Sequence, residues 1–566
     1  MSNQHSPYHP VIYIRGFAGT QGEIEETVAD PYMGFNVGST KSRRVWDGTM
    51  RRFYFESPLV RLKDEIVWTT TPKGRVRSNR RYDDVYVDGE DLTAPASTDP
   101  TQPLRPDITL PYQSIVIFRY YDDASADFGN PETPHPIEHF ARNLSNLILR
   151  LRTLVCRKDG TDPITGDALD NKVEPKDFRV YLVAHSMGGL VCRAFLQNPN
   201  LGDPEARKAV GKMFTYATPH NGIDLRVVRN VPGWAALGDA TNFNRKRMLE
   251  YFALPDAAQD VSEVKNFPAE RIFNLVGTNP ADYLVLKGLS SWAVGEVSDG
   301  LVQIGNATTF GIDGKGGKVE SPRAFAHRSH SGHYGIVNSE EGYQNLTRFL
   351  FGSVRVDGIL DVDDVTLPKE VQKEFDSGKK VRASYKFEVV ATVRGAQWQM
   401  HRRTVRENSA IQRTYDELFP TNAAGKREPS RDRSPRLFSV FLDPTKSLNT
   451  KTKSVSFAFD LAVLVPDYEV DGVLWLNRHY EGGALYRDLV VIEATPDATA
   501  LGGWKLAYGY QSETPNIANK KPNVTELEGG GLTFTIPVNS KKGHPSLTGN
   551  LRIELRRWVV DDDAAG

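Results

Sequence analysis

Residues 180–196 read VYLVAHSMGGLVCRAFL, and this stretch restricts the fold more than any other in the chain. Its first five residues are apolar and β-rich, as in a strand buried on both faces. The segment GGLVCRAFL then places Leu190, Val191, Ala194 and Phe195 at helical spacing. Only residues 185–189 separate the two patterns, so the chain must reverse within a few residues. A turn that sharp crowds its own backbone and needs small neighbours, here Ala184 and Gly188. It holds the Ser186 hydroxyl up at the end of the strand, with the Met187 amide facing the same space. The plain alternative is an ordinary tight turn capped by a serine.

The surrounding pattern supports a strand–turn–helix unit within a larger sheet. Between residues 11 and 350, strand-like runs at 11–16, 114–121, 178–184, 212–218 and 271–278 alternate with helix-like ones, notably 137–155. Short buried strands alternating with helices indicate a doubly wound, mostly parallel sheet covered on both faces. Residues 339–351 predict a closing helix, capped by Ser339, with Tyr343, Leu346 and Leu350 on one face. Two long interruptions, a 17–113 insertion and a 223–268 segment, would emerge where α/β sheets bind ligands. The second contains Trp234, Leu237, Met248, Tyr251 and Phe252, more apolar than an exposed loop should be, and it is expected to form a cap over that ligand-binding end. After about Gly352 the pattern becomes alternating and β-branched, with turn residues between runs. Residues 353–566 are therefore expected to be an all-β, sandwich-like accessory domain following the α/β domain at 1–352.

The stretch Ala184-His185-Ser186-Met187-Gly188 resembles the nucleophile elbow G-x-S-x-G of the α/β-hydrolases, with alanine at the first position. Asp299-Gly300-Leu301-Val302 resembles the D-G-x-V element of lipase-like members, the PGAP1-like and bacterial triacylglycerol lipase-like serine esterases. Tyr216-Ala217-Thr218-Pro219-His220-Asn221-Gly222 is similar to their G-[ST]-P-H-x-G element. The resemblance covers residues 11 to 350 and implies a triad in the order Ser, Asp, His. Ser186 is then the nucleophile and Asp299 the acid, with Glu296 and Asp313 as local competitors. Three histidines compete for the base: His327, His330 and His333. His333 is favoured, because His333-Tyr334-Gly335-Ile336-Val337 directly precedes the closing helix, where such enzymes place the base. The implied oxyanion donors are the backbone amides of Met187 and of Phe17, within Arg15-Gly16-Phe17-Ala18-Gly19. The substrate class implied is carboxylic esters, lipid acyl esters above all, with no cofactor and no metal. Thioester, amide or lactone hydrolysis on the same fold, and a catalytically inactive binding or scaffold protein, are the alternatives.

Composition narrows the partners. Lys+Arg 70 against Asp+Glu 71 leaves a formal charge of -1, so no global field favours nucleic acid or an anionic membrane. The local basic run RVRSNRR at 75–81 reads as a solvated loop. DGKGGK at 313–318 lacks phosphate-loop spacing and reads as a solvated hairpin. The sequence has 2 cysteines, Cys156 and Cys192, which argues against a disulfide framework. With no basic-then-apolar leader and no run near the ~20 apolar residues of a membrane helix, a cytoplasmic protein is expected. A peripheral contact with a lipid surface is the one membrane interaction left open, and the oligomeric state is not legible.

Overall fold

Each buried apolar run read from the sequence becomes a strand of one sheet. The computed structural model describes residues 6–558 apart from 17–40, 45–49, 54–56, 65, 72–73, 89–91, 93–107, 119, 121–134, 164–165, 224–242, 259, 281–297, 331–334, 397, 445–446, 450, 472–477, 516, 529 and 541–544. Two compact units result: among the described residues the first takes those up to 323 and 327–346, and the second takes 324–326 and 347–558.

One sheet is built from β1 (Val11–Ile14), β2 (Val85–Val87), β3 (Ile115–Phe118), β4 (Val180–His185), β5 (Val210–Tyr216), β6 (Ile272–Gly277) and β7 (Arg323–Ala326). Its strand order is β7-β6-β5-β4-β1-β3-β2. Pairing is parallel from β2 through β3, β1, β4 and β5 to β6. Every residue of β1, β3, β5 and β6 is buried, the burial on both faces that near-continuous apolar runs require. The helices are α1 (Ile137–Cys156), α2 (Met187–Gln197), α3 (Pro204–Ala209), α4 (Arg245–Tyr251) and α5 (Glu340–Phe351). In α5, Ser339 Oγ accepts the Gly342 amide at 3.0 Å, the cap expected from sequence.

The first long interruption is not merely a loop. Its Val85–Val87 segment extends the sheet as edge strand β2. Residues Ser57–Asp64 form a helix whose Arg61 pairs with Glu340 at 2.7 Å and lies 3.5 Å from the Tyr343 ring centroid. The basic run expected to be a loop is mostly the strand Gly74–Arg80, paired with Ile66–Thr71. Of the expected cap, Trp234 and Leu237 lie outside the described residues. Met248, Tyr251 and Phe252 are fully buried: this described part packs down on α2, with Asn198 donating to the Tyr251 carbonyl at 3.1 Å. Residues 313–318 turn between Phe310–Ile312 and Lys318–Glu320, exposed to solvent as expected.

The second unit is all-β but for short helical pieces. Its strands are β8 (Val354–Thr366), β9 (Val381–Val393), β10 (His401–Arg403), β11 (Ile411–Thr414), β12 (Arg436–Leu442), β13 (Val455–Val470), β14 (Arg478–Pro496), β15 (Trp504–Tyr510), β16 (Thr525–Glu526), β17 (Leu532–Asn539) and β18 (Ser546–Arg557). One antiparallel sheet runs β12-β8-β18-β17-β16, and the other β10-β9-β13-β14-β15 with β11 also on β9. In β9 buried residues alternate with half-buried ones, the period-2 pattern of a strand with one face inward. Inward residues of both sheets, among them Leu360, Phe387, Leu461 and Ile553, form a single core. No helix among the described residues is long and apolar enough to cross a membrane.

Candidate active site

Steric crowding at the end of β4 explains why the elbow sequence is what it is. Ser186 sits at φ 51, ψ -127, a strained conformation for a residue with a side chain. Its amide is held by the Tyr216 carbonyl at 2.9 Å, and its carbonyl accepts the Gly189 amide at 3.1 Å. The small residues are demanded by close packing rather than by flexibility. A Cβ on Gly188 would lie 2.5 Å from the carbonyl oxygens of Ile14 and Arg15, and one on Gly189 would lie 2.1 Å from Thr218 Oγ1. One on Gly16 would lie 2.9 Å from Ser186 Cβ. The end of β1 and the turn after β5 thus press directly on the elbow.

Ser186 meets a histidine and a carboxylate. His330 Nε2 lies 2.9 Å from Ser186 Oγ, and His330 Nδ1 lies 3.0 Å from Asp299 Oδ2. The three side chains belong to residues that are 3%, 3% and 1% exposed, so this chain of contacts is shielded from water. Asp299 is fixed from behind: its Oδ1 accepts the amides of Leu301 at 3.0 Å and Val302 at 2.7 Å. Gly300, at φ 99, makes that tight turn possible. The D-G-x-V element therefore has a physical meaning, a turn whose amides orient one carboxylate oxygen and leave the other for the imidazole.

A different histidine from the one favoured in the sequence lies against Ser186. The structure sets His330 against Ser186 and Asp299, whereas the favoured His333 lies outside the described residues. His330 wins because backbone contacts carry it there: its amide donates to the Asp299 carbonyl at 2.9 Å. Its carbonyl lies 3.2 Å from His185 Nε2, and since a carbonyl only accepts, that nitrogen carries the proton. His327 is exposed, with Nδ1 3.3 Å from Thr278 Oγ1. Of the competing acids, Asp313 is in the exposed hairpin and Glu296 is outside the described residues.

Of the two expected oxyanion donors, Met187 opens α2, where the first amides have no acceptor within the helix. Phe17 lies outside the described residues; Gly16 before it abuts Ser186 as described. The environment also contains groups the sequence reading did not assign. His185 precedes Ser186, with its ring centroid 5.0 Å from that of His330. Burial, and then the neighbouring His330, holds its pKa well below the usual histidine range, so it is neutral. His220, fully buried, is likewise held well below by burial and then by Arg193.

Arg193 was also missed. It is fully buried on α2, and burial pushes its pKa down to about 9. Its guanidinium donates to the carbonyls of His220 at 2.9 Å and Glu263 at 2.6 Å, and also to that of Val261, while lying 3.9 Å from the Phe252 ring centroid. It ties the loop after β5 and the α4 region to the elbow helix. Its signal in the sequence was an arginine inside an otherwise apolar helix, which periodicity alone reads as a solvent-facing position.

Residues 141–231 match the PGAP1-like alpha/beta domain family. Among solved structures, the chain is similar to the Bacillus licheniformis lipase BlEst2 in its mature form, at 14% identity over 58% of this chain and 88% of that one, with a TM-score of 0.25. It is also similar to EstA from Clostridium botulinum, at 11% identity over 61% of this chain and 87% of that one, with a TM-score of 0.27. No curated protein matches the chain.

Proposed function

We propose that the protein is a lipase-like α/β hydrolase that cleaves carboxylic esters through Ser186, His330 and Asp299, a reading supported by the match of residues 141–231 to the PGAP1-like alpha/beta domain and by the strand order of the sheet. The observation that carries this reading is the buried contact chain, Oγ to Nε2 at 2.9 Å and Nδ1 to Oδ2 at 3.0 Å. A serine hydroxyl is a weak nucleophile until a base removes its proton, and the base works best when a carboxylate orients it.

In the proposed cycle His330 Nε2 takes the Ser186 proton as Oγ bonds to the ester carbonyl carbon. Asp299 Oδ2 accepts from Nδ1–H throughout and stabilises the imidazolium. The developing oxyanion accepts from the Met187 amide, with the Phe17 amide as the second donor. Collapse breaks the ester C–O bond, and the leaving alkoxide takes the proton from His330 Nε2. Water then repeats the sequence on the acyl-enzyme: His330 removes its proton, and Ser186 leaves with that proton restored.

Lipid acyl esters are the proposed substrates. Two measurements test this. A fluorophosphonate should label the native protein and fail to label Ser186→Ala. A panel of p-nitrophenyl esters of rising chain length, run beside dispersed phospholipid, thioester, anilide and lactone substrates, should give its highest kcat/KM on a long-chain ester. Labelling without turnover of any ester would overturn the reading.

A further inference from the structure

The β unit contains a cavity for which the triad has no use. Strand register places it at one end of the sandwich. Val354 pairs with Leu442 and with Arg557, Leu532 pairs with Leu555, and Glu526 pairs with Leu532. In the facing sheet, Val455 pairs with Ala494 and Trp504 with Pro496. Between these rows lies a volume of about 770 Å³, within the roughly 300–1,000 Å³ typical of small-molecule pockets.

The walls are mainly hydrocarbon: Leu442, Val455, Ala494, Trp504, Leu532 and Leu555 line it, and Leu501, 44% exposed, stands beside them. Further along the same strands the sheets close, with Leu551, Ile553, Ile536 and Val490 fully buried. The opening is therefore local and not a general looseness of the core. Its edge is charged. On β18 the inward series Leu551, Ile553, Leu555 continues at period two to Arg557, and Arg556 and Arg557 both border the cavity. Arg556 also donates to Glu554 at 3.0 Å. One carboxylate, Glu526, lies on the same border, so the rim carries two positive charges against one negative.

We propose that this cavity binds a single-chain anionic amphiphile, a long-chain fatty carboxylate, with its chain between the sheets and its head at Arg556 and Arg557. Water gains little in an apolar cavity, whereas hydrocarbon fills it and recovers the missing contacts. Guanidinium groups favour a carboxylate through charge-assisted hydrogen bonds. This assignment is independent of ester cleavage and holds even if Ser186 is inert.

The test is equilibrium dialysis of the full-length Ser186→Ala protein against radiolabelled palmitate below its aggregation concentration. Native Ser186 enzyme blocked with a long-chain phosphonate serves in parallel, so that its acyl pocket is filled. The phosphonate-blocked protein should bind one palmitate per chain, and the Ser186→Ala protein at least one. Hexadecyltrimethylammonium should displace it at least tenfold less well than oleate does. Arg557→Glu should weaken palmitate binding by about tenfold, the scale of one charge-assisted hydrogen bond. Ala494→Phe should abolish binding by filling the cavity; its melting temperature shows whether it has folded, and Arg557→Glu decides the matter if it has not. Three outcomes overturn the proposal: no palmitate bound, palmitate binding unchanged in both variants, or binding to phosphatidylglycerol vesicles without binding of monomeric palmitate.

Discussion

At the scale of single residues, the triad assignment makes distinct demands on neighbouring histidines. Ser186→Ala and His330→Ala should each lower kcat on p-nitrophenyl butyrate by ~10³-fold or more, because nucleophile and base act as a unit. His333→Ala should keep most of the activity, and the reverse result would move the base to His333. On the proposed assignment His185 would act through His330 rather than on substrate, since its Nε2–H meets the His330 carbonyl at 3.2 Å. His185→Ala should lower kcat about tenfold with little change in KM, the scale of one lost hydrogen bond in the transition state. His185→Gln, which retains an N–H donor, should recover much of that loss, a pattern that simple destabilisation would not give. The sequence displayed the serine and the acid through turns that only certain residues fit. It could not rank the histidines, because His327, His330 and His333 share a loop without periodicity. What selects among them is the His330 amide bonding to the Asp299 carbonyl at 2.9 Å, a contact between segments 31 residues apart.

At the scale of elements, the elbow is a packing solution shared by β1, β4, β5 and α2. Gly188 faces two backbone carbonyls at 2.5 Å from a would-be Cβ, whereas Gly189 faces the Thr218 side chain. Gly188→Ala should therefore be the costlier change, about 3 kcal/mol or more, beyond the 1–3 kcal/mol usual for overpacking, since carbonyls of a central strand cannot rotate away. Gly189→Ala should be partly rescued by Thr218→Ala, whose truncation removes the nearest atom. Denaturant unfolding of the two single variants and the double variant measures both statements, and equal cost with no rescue would contradict them. Much of the element pattern was legible: buried parallel strands are nearly continuous apolar runs, and β1, β4, β5 and β6 stood out as such. Edge strand β2 was not, because three residues in a polar insertion give no period. The arginine-rich strand Gly74–Arg80 was misread as a loop because its charged residues carry no period-two apolar signal.

At the scale of the whole molecule, the described histidines that matter most to stability are buried neutral ones. His185 and His220 both have pKa values held well below the ordinary 6.5. In the unfolded chain each regains that ordinary value, so below pH 6.5 the unfolded state binds protons that the folded state refuses. The sign follows: stability is fully present above about pH 6.5 and declines as pH falls toward the depressed folded values. Acidification from pH 7 to 5.5 should therefore lower stability, with both groups contributing in the same direction. Both histidines lie in the first unit, so the loss should not be uniform. Two units with separate cores are expected to give more than one calorimetric transition. The transition belonging to the hydrolase unit should shift down on acidification, and His220→Gln should reduce that shift. The transition of the β unit should respond instead to Leu551→Ala, which empties a fully buried position at a cost of about 2–5 kcal/mol. Scanning calorimetry of the native chain and the two variants at pH 7 and 5.5 assigns each transition. If acid and Leu551→Ala lower the same transition, the two cores do not unfold separately, and the pH response cannot be credited to the two histidines alone.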